Sequence, residues 1–423
     1  MAKSRRLWLR KLAVDVGCAA MGLTLLLGCT ATDKDTESSR KNPTSRKPTG
    51  TTPSAPPRAY DPVTKFSGEE LVLPGDLSRA TLDGTTAWIT GPNELTALDL
   101  TTEKSTVIRP KGRPPAISPH FGRPVLTEMQ GKQVAVALLP VSTPGSGTHT
   151  DKDAVEMLVV DARTHKTIWS AEIAGAEPGF SESDDGSVIG ADDGIAIVDA
   201  GLDIRAVDLT TRKTIWRTDG DAQDVVAVGE GIVALTRSED GGAQQLHGLR
   251  MSDGKREWTS GEPEENLHAS RIGPRRLLIT RGVDTTYDGG GRVVDLADGG
   301  QVASPEFFAV PDRCVYDDES TAVCFKQEYG QPASFALDTT SGKVLWQLPT
   351  QDRFAPPIST AWHGIVYAGT EDDPLMLDAH TGEDRTGHLP DVPDVVNAYV
   401  GLFQGDDEVL GSEPPTSIRR TTG

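Results

Sequence analysis

Through most of the chain, apolar and polar positions alternate in short runs, each broken within a few residues by a turn-forming cluster. "EMLVVDA", "IRAVDL" and "SFALDT" are runs of this kind, and each carries an aspartate at or near its end. A Thr/Ser/Asp/Gly turn follows, and then a run rich in β-branched residues that closes on tryptophan. Such runs on either side of a tight turn predict a β-hairpin. Upstream lies a second hairpin with Gly at or near its turn, as in "ATLDGTTAWIT", "VLTEMQGKQVAVAL", "VVAVGEGIVAL" and "TAWHGIVYAG". No helical period persists for more than about two turns after residue 30, which argues against Rossmann-like and helix-bundle folds.

The pattern recurs at a fixed spacing. Asp161 precedes Trp169 by eight residues, Asp208 precedes Trp216, Arg250 precedes Trp258 and Asp338 precedes Trp346. Three further copies, at Asp99, Asp295 and Asp378, keep the aspartate and lose the tryptophan. The gaps between the seven anchors are 62, 47, 42, 45, 43 and 40 residues. A period in the low forties, with four strands per copy, is that of a propeller blade. The long gap is assigned to a Gly/Ser/Thr/Asp-rich loop, Pro140–Asp153, inserted into one unit. The anchor aspartate is expected to cap the turn between the two outer strands. The tryptophan is expected to pack between neighbouring blades, since a blade cannot bury its face alone.

The phrase Leu337–Trp346, "LDTTSGKVLW", resembles the repeat of pyrroloquinoline quinone (PQQ)-like β-propellers, and the resemblance covers about residues 70–390. It specifies the fold far better than the function. Such propellers include quinoprotein dehydrogenases, non-catalytic exported lipoproteins and assembly factors, and fold does not fix function. Beyond the seven copies stand "FSGEELVLPG" (Phe66–Gly75) and "NAYVGLFQGDDEVLGSEPP" (Asn397–Pro415), a leftover strand and a leftover hairpin. Joining them predicts an all-β, eight-bladed propeller of four-stranded antiparallel blades closed by both termini, with seven blades as the alternative. The propeller is placed at 59–415, and 416–423 is expected to be a disordered tail.

Residues 1–28 read as an export signal: a basic start, "MAKSRRLWLRK", then a mostly apolar run of 17 residues before Cys29. The run is short for a spanning helix and contains Asp15. "LLGC" (Leu26–Cys29) resembles a bacterial lipobox, which implies acylation of Cys29 and loss of Cys18 with the signal. "SRRLWLRK" resembles a twin-arginine motif with Trp8 in place of the usual Phe, and the general secretory route remains open. Residues 29–58 then form a Thr/Ser/Pro-rich tether whose composition cannot build a core. Its six basic and three acidic residues could lie on an anionic membrane. The expected address is the extracytoplasmic face of the cell membrane, held there by lipid.

The whole chain carries a net charge of −20, and without signal and tether 31 basic residues face 58 acidic ones. A domain near −27 repels nucleic acid and bare membrane alike. Cys314 and Cys324 flank "VYDDESTAV" and can face each other across neighbouring strands; in an oxidising compartment a disulfide is expected, with a reactive thiol pair as the alternative. No GxSxG, HExxH or Walker-type motif occurs, and the eight histidines never recur at ligand spacing. "GEGIVA" (Gly229–Ala234) matches a dinucleotide pattern only formally, because it lies on a hairpin turn. Acidic loops at 181–187, 236–242 and 369–374 lack the full spacing of a calcium loop.

The expectation is therefore a monomeric, non-catalytic scaffold with no catalytic or metal residues and no cofactor, binding another envelope or extracellular protein. Two alternatives stand beside it. One is a quinone- or calcium-dependent dehydrogenase, for which the family's adjacent-cysteine disulfide is missing here. The other is solute capture at the channel mouth.

Overall fold

A computed structural model describes residues 63–73, 79–114, 122–145, 151–175, 186–199, 203–218, 222–238, 242–282, 290–307, 309–327, 332–370, 373–387, 389–404 and 416–422. Cys29 and the segments expected to form the export signal and the tether lie outside these residues. Thirty-two strands form eight antiparallel sheets of four. Seven sheets use consecutive strands, within 80–108, 125–175, 187–217, 222–264, 267–303, 313–348 and 358–385, and are numbered here as blades 1 to 7. Blade 8 runs from its inner to its outer strand as Val395–Val396, Val400–Gln404, Thr416–Thr421 and Phe66–Leu73. The first strands of neighbouring blades pack on one another and so surround the axis.

There is no single core. Buried side chains gather in eight clusters, each straddling one pair of adjacent blades. Trp88 of blade 1 packs with Leu158 of blade 2, and Trp258 of blade 4 with Leu277 of blade 5. Leu98 and Leu100 of blade 1 meet Val400 and Leu402 of blade 8, which closes the ring. A fully buried Leu, Ile or Val contributes about 1.5–3 kcal/mol. Each blade therefore depends on both neighbours, and the closed ring leaves no blade face bare.

The chain meets itself in blade 8 differently from the sequence-based expectation. Residues 416–421, assigned to a disordered tail, are its third strand, pairing with Val400–Gln404 on one side and Phe66–Leu73 on the other. The blade thus takes three strands from the C-terminal end and one from the N-terminal end. Among Thr416–Thr421 only Ile418 is a large apolar residue, too little to signal a strand; its partners come from elsewhere in the chain.

The assignment of the inserted loop also changes. Strands Lys132–Thr143 and Lys152–Asp161 run far into Pro140–Asp153 and pair up to Thr143↔Lys152. Pro140 lies beyond the last pairing to the first strand, Val125↔Val136, so its missing N–H breaks no bond of that ladder. The rest of the extra length is the connection 109–124 into blade 2.

The repeated "KTIW" is a β-bulge. In blade 2, Thr167 opposes Val160 and Trp169 opposes Val159, which leaves Ile168 unpaired and exposed on the outer edge. Blades 3, 4, 5 and 6 show the same register break. A bulge on an edge strand discourages pairing with another sheet.

Candidate binding faces

Blades 1 to 7 place the turns after their first and third strands at one end and the connections after their second and fourth strands at the other; blade 8 has only the first of these turns, 397–399. The tight-turn face is built by the anchor positions. The Asp161 carboxylate accepts the N–H groups of Arg163 and Thr164 at 3.2 and 2.8 Å. Asp99 does the same for Thr101 and Thr102, Asp208 for Thr210 and Thr211, and Asp378 for His380 and Thr381. Asp338 accepts from Ser341 at 2.6 Å and Asp295 from Ala297 at 2.9 Å. Where Arg250 takes the anchor position, Asp253 inside the turn accepts the Lys255 N–H at 3.1 Å. These donors stabilise the charged form. The Thr164 N–H holds Asp161 below the usual carboxylate range, and the Ser341 N–H does so for Asp338.

Four residues after each anchor the backbone turns left-handed, with φ of 59° at Glu103, 56° at His165, 63° at Arg212 and 68–71° at Gly254, Gly299, Gly342 and Gly382. At His165, Arg212, Gly254, Gly299 and Gly382 this residue covers an indole of the preceding blade; Gly342 instead faces Ala303 and Val293. A Cβ at Gly254 would stand 2.8 Å from Trp216, and one at Gly382 would stand 2.7 Å from Trp346. In blades 2 and 3 the cover is a side chain instead. His165 meets Trp88 edge-on at 5.4 Å, and the Arg212 guanidinium lies 5.8 Å over Trp169.

Each repeat tryptophan also fastens a seam. The Nε1–H donates across to the carbonyl that follows the next anchor: Trp169 to Leu209 at 2.9 Å, Trp216 to Met251 at 2.7 Å, Trp258 to Leu296 at 2.9 Å and Trp346 to Ala379 at 2.8 Å. Trp169 and Trp258 are buried, Trp216 and Trp346 half-buried. Two fasteners escape a repeat-based reading. Blade 1 has no bulge and no outer tryptophan, and Trp88 fills the gap from the second strand, opposite Ala97. At the seam between blades 8 and 1, Arg420 donates to the Leu100 carbonyl at 3.0 Å. "TTAWIT" shows the first as an off-register tryptophan; no local signal marks the second.

Polar networks lock the other face between blades. Arg313 donates to the Ser359 carbonyl at 3.0 Å, the Ser359 hydroxyl to Asp394 at 3.1 Å, and the Gln404 N–H to Asp394 at 3.0 Å, tying blades 6, 7 and 8 together. Burial pushes the Asp394 carboxyl up. Glu264 of blade 4 is buried and holds Arg281 and Arg292 of blade 5, both at 2.6 Å. Glu156 accepts the N–H groups of Lys111 and Gly112 at 2.9 and 3.0 Å, which pins the start of the 109–124 connection.

Charge separates the two faces. The connections between second and third strands (91–94, 144–151, 200–203, 239–243, 282–290, 327–332, 371–372 and 405–415) hold fourteen Asp and Glu and no Lys or Arg. With the blade-to-blade connections these segments hold 27 acidic and 6 basic residues, four of the six in 109–124; eleven of the fourteen acidic residues lie outside the described residues, between strand ends that meet this face. The tight turns carry 9 and 6, and the anchors that precede the outer turns add six Asp and Arg250.

Cys314 and Cys324 are directly opposed across the first hairpin of blade 6 and form a disulfide. Gly229–Ala234 spans the first turn of blade 4 and the strand that follows it. Among the described residues, no three His, Cys, Asp or Glu side chains converge as a metal site would require. The acidic loops at 181–187, 236–242 and 369–374 lie partly outside the described residues.

A family model described as outer membrane protein assembly factor BamB matches residues 155–312. No curated protein sequence matches the chain. Among solved structures, BamB from Moraxella catarrhalis is 14% identical with a TM-score of 0.50, covering 84% of this chain and 100% of that one. A europium-containing methanol dehydrogenase is also 14% identical, with a TM-score of 0.42, covering 82% of each chain. With its anchored turns, its bulged tryptophan strands and its closed ring of eight four-stranded blades, the chain is an eight-bladed β-propeller, and residues 155–312 of it resemble the assembly-factor family.

Proposed function

We propose that the protein is a non-catalytic, lipid-anchored scaffold on the extracytoplasmic face of the membrane, docking a basic envelope protein on its long-connection face. The observation that carries this is the charge separation: fourteen carboxylates and no Lys or Arg in the second-to-third-strand connections. A field of one sign steers a partner of the other and speeds its encounter. The repeat fixes the tight turns and leaves these connections free to vary in length and charge, which is where a scaffold carries recognition. Similarity to an assembly factor's fold agrees with a scaffold but does not name the partner.

Acylated Cys29 would supply the anchor, and the tether would hold the ring roughly 30 Å away on average. Native mass spectrometry of the mature chain, purified without chelator and scanned for absorbance, separates this reading from a dehydrogenase. The mass of the acylated polypeptide, less two hydrogens for the disulfide, is expected. A quinone chromophore or stoichiometric calcium would contradict it.

A further inference from the structure

The chain joins the ring at one particular end. Phe66 opposes Thr421 and Leu73 opposes Thr416, while the Thr421 N–H bonds the Tyr399 carbonyl in a tight turn. The outer strand of blade 8 therefore starts at the tight-turn face and runs toward the acidic one. Just before it, Val63 is buried between blades 7 and 8, and its carbonyl accepts the Tyr367 hydroxyl at 2.6 Å.

The two faces stand about 16 Å apart, five residues of strand at ~3.3 Å each. That is about two Debye lengths at physiological ionic strength, so each face meets a charged surface largely on its own account. The tight-turn face is the less acidic of the two, with 15 acidic and 7 basic residues in its turns and anchors, and exposed cations gather in and just after the outer turns of blades 2, 3 and 4, at Arg163, Lys166, Arg212, Lys213, Lys255 and Arg256. The opposite face carries 27 acidic and 6 basic residues in its connections.

From this combination we infer that the tight-turn face is apposed to the anionic membrane surface, with its arc of cations toward the lipid headgroups, and that the acidic face is turned outward. The inference rests on the lipid anchor proposed above. It adds a direction: the partner approaches from the side away from the membrane, and the turn face is not its docking surface.

Ser252 lies in the outer turn of blade 4 and Gln351 in the connection from blade 6 to blade 7; both are exposed. Ser252→Cys and Gln351→Cys can each be labelled singly, because Cys314 and Cys324 are paired and Cys29 is the acylation site. The acylated full mature chain is incorporated into vesicles containing anionic phosphatidylglycerol and an acceptor-labelled lipid. Energy transfer at Ser252→Cys should exceed that at Gln351→Cys by at least twofold, and 1 M salt should remove most of the difference. Equal transfer at both sites, or more at Gln351→Cys, overturns the orientation and leaves the anchor standing. A chain that stays free of the vesicles, with no transfer from either site, overturns the anchor and the orientation together.

Discussion

The two ends of the ring solve different problems. At the tight-turn end the same few atoms recur: a carboxylate on backbone N–H groups in most blades, and at four seams an indole N–H on the next blade's carbonyl with a left-handed residue over the ring. At the other end neither length nor sequence recurs, and only the second-to-third-strand connections share a sign of charge. One end specifies assembly and the other is free to specify a partner. The repeat that reveals the fold is therefore silent about function, because it is written at the wrong end of the blade.

The largest effect that would break this comparison is expected at the tryptophans. Trp169→Ala should cost about 3–5 kcal/mol, since it removes a buried indole and leaves the Leu209 carbonyl unpaired. Trp346→Ala, half-buried, belongs at the lower end of that range. Urea unfolding measures both, and near-wild-type midpoints would mean that the tryptophans do not hold the seams.

Glu264→Gln comes next, at about 2 kcal/mol, because it leaves two arginines facing a neutral amide. Burial opposes ionisation of Glu264, but hydrogen bonds and charge from Arg281 and Arg292 prevail and hold it below the usual carboxylate range. A folded-state pKa below the unfolded one gives stability that is present above pH ~4.3 and is lost as pH falls through the folded value. Wild type should thus lose stability faster than Glu264→Gln as pH is lowered below about 4.3. Parallel pH profiles of the melting temperature would remove the clamp from the account.

Asp161→Ala should cost about 1 kcal/mol, the value of a cap. The smallest effect is at the acidic end. Asp352→Asn with Asp373→Asn, both exposed, should change stability by no more than about 0.5 kcal/mol. If a partner docks there, the pair should still slow its association, read as a reduced on-rate with a flatter salt dependence.

Much of the fold is legible in the chain, for a physical reason. A blade needs its turn capped and its face covered, so Asp161, Asp208, Asp338 and their tryptophans repeat at a spacing that any copy reveals. The two cysteines were legible too, since ten positions across one hairpin place them opposite each other. What escaped was long-range or compensatory. Strand Thr416–Thr421 owes its order to partners at both ends of the chain. Trp88 replaces an outer tryptophan from a different strand, and Arg420 replaces one with another chemistry. Glu264 looks like any surface glutamate until blade 5 brings two arginines to it. The partner stays illegible because charge at loops of unequal length carries a sign and no pattern.

The most direct test of the account is site-specific photo-crosslinking in intact cells, with the crosslinker placed in turn at Gln351 and Asp151 on the acidic side and at Ser252 and Thr211 on the tight-turn side. One specific protein adduct is expected, shared by the two acidic-side positions and absent from the other two. The same adduct at Ser252 and Thr211, or no specific adduct at any position, would contradict it.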